Sequence, residues 1–230
     1  MKWNKQFIYP ESQRSMIRGQ RHYDLGLESN RQLLPSVTTI LSATQSPEKK
    51  ASLEAWKARV GSDQATRIKD QAATRGTAMH NILEGWITGQ GHLDLTDVGQ
   101  NAHTMAQQVI NNGLKGFLHE IWGCEVTLYY PGLYAGATDV VGVYDGYQSI
   151  VDFKQTNKPK RREWIDDYFL QLAAYAMAHN YVYGTTITQG CILMCSKDNY
   201  FQRFVVNGNE FKKYKHKWLR RVDEYYDKKG

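Results

Sequence analysis

Apolar positions along this chain change their period near residue 123. Before that point the pattern is helical. "SVTTIL" follows a proline and opens on Ser36 as a cap, and "SPEKKASLEAWKARVG" places Ser46 at the N-cap, Pro47 at the first helical position and Gly61 at the stop. The spacing predicts further helix through "SDQATRIKDQAATRGTAMHNILEGWITGQG", with a possible break at Gly76, and again from about Asp97 to Trp122. After it the period is two. "CEVTLYY", "AGATDVVGVY" and "QSIVDFKQ" are β-branched and aromatic runs separated by Pro-Gly and Asp-Gly, which predicts three consecutive antiparallel strands. A helix from about Glu163 to Tyr181, strands at "TQGCILMC" and "YFQRFVV", and a basic helix from Asn209 complete the chain. The first thirty residues, with "KQFIYP" and "RHYDLG", read as two short strands or extended arms. This order predicts an α/β sandwich around a mixed sheet.

Two aspartates interrupt the apolar strands. With Asp145-Gly146 as a two-residue hairpin turn, Tyr144 faces Tyr147 and opposing residue numbers sum to 291. Asp139 and Asp152 meet that sum, so they are expected to face each other with Cβ atoms roughly 4.5–5.5 Å apart. Lys154 projects from the same face and Phe153 from the other. A buried ionised carboxylate costs several kcal/mol unless paired, and two of them repel. The cluster could simply neutralise itself through Lys154. A hard divalent cation, Mg²⁺ or alternatively Mn²⁺, accounts for both acids better.

Two helical pairs widen the constellation. "RGTAMHNILE" puts His80 and Glu84 one turn apart, and "QLAAY" does the same for Gln171 and Tyr175. Each pair alone has an ordinary structural explanation. In order around the Asp139–Asp152 hairpin they point to one site.

Composition sharpens the picture. The net charge of +6 and pI near 9.1 favour a polyanionic partner. Lys158, Lys160, Arg161 and Arg162 follow the Asp152 strand directly, where they can meet a nucleic-acid backbone. "FKKYKHKWLRR" interleaves Lys212, Lys213, Lys215 and Lys217 with Tyr214 and Trp218, as phosphate contact with base stacking would require, or as a solvated helix face with its aromatics turned inward. Three cysteines, Cys124, Cys191 and Cys195, are too few for a four-ligand zinc or iron–sulfur site and read as reduced core thiols. No apolar run spans a bilayer, and "MKWNKQFIYPESQ" has no signal-peptide core, which predicts a soluble, cytoplasmic protein.

His80 after "RG", Asp139 in "GATD", Asp152 and Lys154 in "VDFK", and Gln171 in "QLAAY" together resemble the PD-(D/E)XK nuclease superfamily in its RecB-like branch. The lead-in from "RHYDLG" to "ARVG" also resembles the mitochondrial genome maintenance exonucleases and their phage-encoded relatives. The resemblance implies a restriction-endonuclease-like sandwich forming one nuclease domain over residues 1–230. An arm and helical arch would occupy residues 1–75 and the catalytic core residues 76–230. It implies Asp139, Asp152 and Lys154 as catalytic, and a metal held by His80, Asp139, Asp152 and the backbone carbonyl of Phe153. Glu84, Gln171 and Tyr175 would sit behind the metal or on the DNA backbone. The expected activity is Mg²⁺-dependent exonuclease cleavage of single-stranded DNA with a free end, serving replication, recombination or repair in a phage-type setting and using no iron–sulfur cluster. A duplex-resecting 5′ exonuclease and an inactive nucleic-acid-binding module are the alternatives.

Overall fold

In the computed structural model, which describes residues 1–26 and 33–228, the change of period is a change of layer. Nine strands and six α-helices are present among the described residues. They are β1 (Lys2–Trp3), β2 (Gln13–Ile17), β3 (Gln20–Asp24), β4 (Leu33–Pro35), α1 (Val37–Ala43), α2 (Pro47–Val60), α3 (Ser62–Thr88), α4 (Asp97–Val109), β5 (Leu118–Tyr130), β6 (Tyr134–Tyr144), β7 (Tyr147–Thr156), α5 (Asp166–Tyr183), β8 (Gln189–Ser196), β9 (Phe201–Asn207) and α6 (Gly208–Asp227). Six strands form a mixed sheet in the order β1-β5-β6-β7-β8-β9, with β7 and β8 parallel and the β5–β7 meander antiparallel. Strands β2–β4 form a separate antiparallel sheet. The described residues are thus an α/β sandwich with a mixed central sheet flanked by helices.

Alternation along the strands builds two cores. Val141, Ile150, Ile192 and Met194 face α5 and α6, whose Leu172, Phe211 and Trp218 cover them. Val140, Val151, Phe153 and Leu193 face α3 and α4, against Met79, Leu83 and Met105. The strands between are buried on both faces, which is why they read as near-continuous apolar runs.

The caps fall where the sequence puts them. Ser36 Oγ accepts from Thr39 N at 3.0 Å and Ser46 Oγ from Lys49 N at 3.3 Å, with Pro47 opening α2. Gly61, at φ 85°, separates α2 from α3.

Three expectations need correction. Residues 5–10 form no strand; Phe7 and Tyr9 leave the ladder to pack on His179 and Tyr183, and the strand in this region is the two-residue β1 beside β5. Helix α3 runs through Gly76 unbroken, because the missing side chain admits the helix against β7, where a Cβ would lie 3.3 Å from Gln155 Cγ. The helix expected to reach Trp122 ends in a π-turn at Ile110–Leu114, and Gly116, at φ 80°, turns the chain into β5. Trp122 is therefore a strand residue. Part of the expected N-terminal arm, residues 27–32, lies outside the described residues.

Helices α2 and α3 also set up the surroundings of the site. Helix α2 buries no residue, and apart from Ala65 the buried residues of α3 start at Ala78. Residues 47–75 therefore stand off the two cores as a helical hairpin, each limb about 21 Å long at 1.5 Å per residue. One foot is tied to the start of α5 by the Lys49–Asp167 ion pair. The other is tied to the end of β7, where Arg75 donates to Gln155 Oε1 at 2.9 Å and to Asn157.

Candidate active site

The predicted hairpin register holds: Tyr144 pairs with Tyr147 and the sum of 291 continues to Val140 and Val151. Asp145 and Gly146 both take positive φ, 52° and 82°, as a type I′ turn requires. The ladder stops one step short of the aspartates. Asp139 and Asp152 are therefore not a paired cross-strand couple, as the register alone would make them. β7 runs on beside β8, where Asp152 pairs with Ile192, while β6 stays with β5. In the notch so formed Asp139 Oδ2 accepts from the Phe153 backbone N–H at 2.5 Å. A side chain has replaced the backbone acceptor that the register would have supplied from Thr138.

The notch gathers what the sequence singled out. His80, Glu84, Asp139, Asp152, Lys154, Gln171 and Tyr175 all line one open cleft of about 530 Å³. His80 reaches it from α3, with Nδ1 3.3 Å from Asp139 Oδ1. Lys154 Nζ is ion-paired with Asp152 and lies 5.1 Å from the centre of the Tyr168 ring. On α5, Gln171 Nε2 donates to Tyr175 Oη at 3.1 Å. Tyr175 in turn needs Gly136, because a Cβ there would stand 2.8 Å from its ring and hydroxyl.

One site residue was missed. Glu125 Oε1 lies 3.9 Å from His80 Nδ1, and ligand atoms of His80, Glu125 and Asp139 all fall within 4.8 Å of one another. Its signal was present in the sequence. The β5–β6 hairpin pairs Tyr130 with Tyr134 and Val126 with Thr138, so residue numbers there sum to 264 and set Glu125 opposite Asp139. Glu125 takes φ 52°, a left-handed conformation that a glutamate seldom adopts within a strand.

Burial and charge divide the groups. Burial is the largest influence on Asp152 and, against the pull of Lys154, raises its carboxyl to about 6, with Asp139 adding to the rise. Burial is the largest single influence on Asp139 and would raise it, but the charge and hydrogen bond of His80, the charge of Lys154 and the Phe153 N–H together hold that carboxyl below its ordinary value. Burial opposes the charge on His80, yet Asp139 and Glu125 push the imidazole up to about 10. Lys154 is likewise held above its usual value: burial disfavours its charge, and Asp152 and Asp139 more than compensate. Glu125 is raised, chiefly by burial.

The basic runs lie elsewhere. Lys158 and Arg161 are exposed, Lys160 N donates to Gln202 Oε1 at 2.7 Å, and Arg162 pairs with Glu210 at 2.8 Å. On α6, Lys212 and Lys213 are exposed, whereas Lys215 donates to Ile187 O at 2.8 Å and Lys217 lies 3.5 Å from Asp166. The interleaved aromatics are core: Trp218 is fully buried and Tyr214 donates to Asp166 at 2.8 Å. They are not available to stack on bases.

The notch and the order of the motifs along the chain are similar to those of the PD-(D/E)XK nucleases. The chain is similar to mitochondrial genome maintenance exonuclease 1: it is 30% identical to the Mus musculus protein over 217 residues, and 28% identical to the Homo sapiens protein over 218. Each alignment covers 89% of this chain and 62% of the relative, so the chain spans about three-fifths of the length of these relatives. No protein-family model matches the chain. Among solved structures, a chain from Eubacterium rectale whose exonuclease assignment is itself provisional superposes with a TM-score of 0.48 and 13% identity, covering 67% of this chain and 65% of its own. An alkaline exonuclease from Laribacter hongkongensis gives 0.31 and 14%, covering 66% and 83%.

Proposed function

We propose that the protein is a Mg²⁺-dependent deoxyribonuclease that degrades single-stranded DNA from a free end, with Mn²⁺ as the alternative ion. The observation that carries this reading is the meeting of His80, Glu125 and Asp139 with the Asp152–Lys154 pair in one open cleft, on a chain of net charge +6. A divalent ion fits the donor set. One imidazole and two carboxylates within 4.8 Å suit a hard cation, and the acids that now rely on His80 and Lys154 for compensation could instead face the metal.

His80, Glu125 and Asp139 would hold the ion, joined by Asp152 and the Phe153 carbonyl. Such a cation lowers the pKa of a bound water and offsets charge on the scissile phosphate. Lys154, aimed into the cleft and restrained by Asp152, orients the attacking water or stabilises the anionic transition state. Gln171 and Tyr175 contact the phosphate backbone or brace Lys154, and Glu84 holds a water behind the metal. Lys158, Lys160, Arg161 and Arg162 lie downstream of β7, where the strand would pass; Lys212 and Lys213 offer a more distant basic surface.

The requirement for an end is supported by the α2–α3 hairpin, whose feet are tied to the start of α5 through Asp167 and to the end of β7 through Gln155, the residue after Lys154. A closed arch of this kind passes only a strand that can be threaded. A cytoplasmic setting and a role in phage-type replication, recombination or repair belong to the same proposal.

The test is digestion of end-labelled linear single strands, duplexes and closed single-stranded circles, with Mg²⁺ or with EDTA. Linear strands should disappear, circles should persist, and EDTA or Asp139→Asn should stop the reaction. Rapid cutting of circles would make the enzyme an endonuclease, and faster loss of duplex would make it a resecting exonuclease. Binding with no metal-dependent cleavage would leave a binding module.

A further inference from the structure

Beyond the cleft, a second groove lies between the first turn of α2 and the start of α5. It holds about 620 Å³, within the ~300–1,000 Å³ typical of small-ligand sites. One wall is Trp164, in a 3₁₀ turn and 57% exposed, with the Arg161 guanidinium 5.3 Å from its ring centre. An indole exposed to that extent covers no core. The opposite wall is Ser46, Lys49 and Ser52 on α2, the foot of the helical hairpin.

The position of Trp164 relates it to the site. It lies four residues before Tyr168, whose ring is 5.1 Å from Lys154 Nζ, in the 3₁₀ turn that leads into α5. Charge decides which part of a strand can enter. Lys49 and Arg221, the cations that line the groove, are both engaged by Asp167. Asp166 is engaged by Tyr214 and Lys217 and Glu163 lies 3.9 Å from Arg161, while Glu48 adds a further negative charge to the lining. A phosphate would be repelled there. A base would not: its π-face suits the indole, and its exocyclic amino groups suit the carboxylates. The phosphates would then run outside, along Lys158 and Lys160.

We propose that the Trp164 groove is a nucleobase-stacking subsite, which holds a base of the single strand where it passes the α2 foot. This rests on the reading of the cleft as a DNA nuclease site.

The experiment measures fluorescence anisotropy of a dye-labelled single-stranded oligodeoxynucleotide, with EDTA present to prevent cleavage. It compares the wild-type chain with Trp164→Ala and Trp164→Tyr, on the intact strand and on strands carrying one abasic position at a time. Trp164→Ala should weaken binding about tenfold, as the loss of one stacked base would, while Trp164→Tyr keeps most of the affinity. At one abasic position the wild type should lose the same factor and Trp164→Ala should lose nothing more. Unchanged affinity of Trp164→Ala, or a loss that persists undiminished at every abasic position, would overturn the subsite while leaving the nuclease reading intact. If the wild-type chain binds no single strand at all, the reading of the cleft fails and the subsite fails with it.

Discussion

Replacing Asp152 by Asn should remove catalysis and, in the absence of metal, stabilise the fold. The carboxyl is 2% exposed and raised to about 6 from an ordinary value of 3.8. An acid whose folded pKa is raised destabilises the folded state above its unfolded value, because folding then resists its ionisation. At about 1.4 kcal/mol per pH unit, the rise amounts to ~3 kcal/mol at and above pH 6, shrinking towards zero as the pH falls to 4. Asn removes that cost but also takes from Lys154 its nearest counter-charge, leaving Asp139. The expected net gain is therefore about 1–2 kcal/mol, below the ceiling set by Asp152 alone. Urea unfolding in EDTA at pH 4.5, 6 and 7.5, followed by circular dichroism, measures it. The gain should be present at pH 7.5 and absent at pH 4.5, and Mg²⁺-dependent cleavage should vanish at every pH. A loss of 2 kcal/mol at pH 7.5, or a gain that ignores pH, would refute the account of Asp152 as a carboxylate held at a cost for the metal.

Lys154→Ala should lower the cleavage rate by several orders of magnitude while single-strand affinity changes less than about threefold, since one cation among many contributes little to binding; equal small losses in both would make Lys154 a simple phosphate contact. Glu125→Gln should weaken Mn²⁺ binding by at least the roughly 10–100-fold that loss of a residue merely supporting a ligand costs, read by titration calorimetry; unaltered affinity would remove Glu125 from the metal set. Binding of Mn²⁺ near pH 8 should release close to one proton, because His80 is pushed up to about 10 without metal and must be neutral to ligate, and calorimetry in buffers of different ionisation enthalpy would detect its absence. Gly136→Ala should cost about 1–3 kcal/mol by overpacking, as its Cβ would stand 2.8 Å from Tyr175, and should reduce cleavage further by moving that wall of the cleft; full activity would show that Tyr175 can yield.

Patterning along the chain was sufficient for the strands of the central meander, the caps and the β6–β7 register as far as Val140–Val151, since each depends on a local rule: period two, a capping serine, an Asp-Gly turn. It failed where a distant partner decides. Phe7 and Tyr9 alternate like a strand, but their rings are drawn into the cluster around His179, a residue 170 positions away from Tyr9. Trp122 continues a helical pattern but joins a strand, because Gly116 turns the chain and Val140–Val143 offer it a partner edge. Tyr214 and Trp218 sit in a run as basic as any nucleic-acid contact, and only the packing of α6 on the core shows that they are inside.

The candidate site divides along the same line. The sequence alone determined that two acids and a lysine share one strand face, with His80 and Glu84 on one helix face and Gln171 and Tyr175 on another, since period and turn chemistry act over a few residues. Only the tertiary structure decided that β6 and β7 part beside the aspartates, that Asp139 then turns to the Phe153 N–H, and that α3 brings His80 within 3.3 Å of Asp139. The reason is physical. Where strands separate depends on what packs on each of them, here α3 on one side and α5 on the other, and no local pattern encodes the balance between two such contacts.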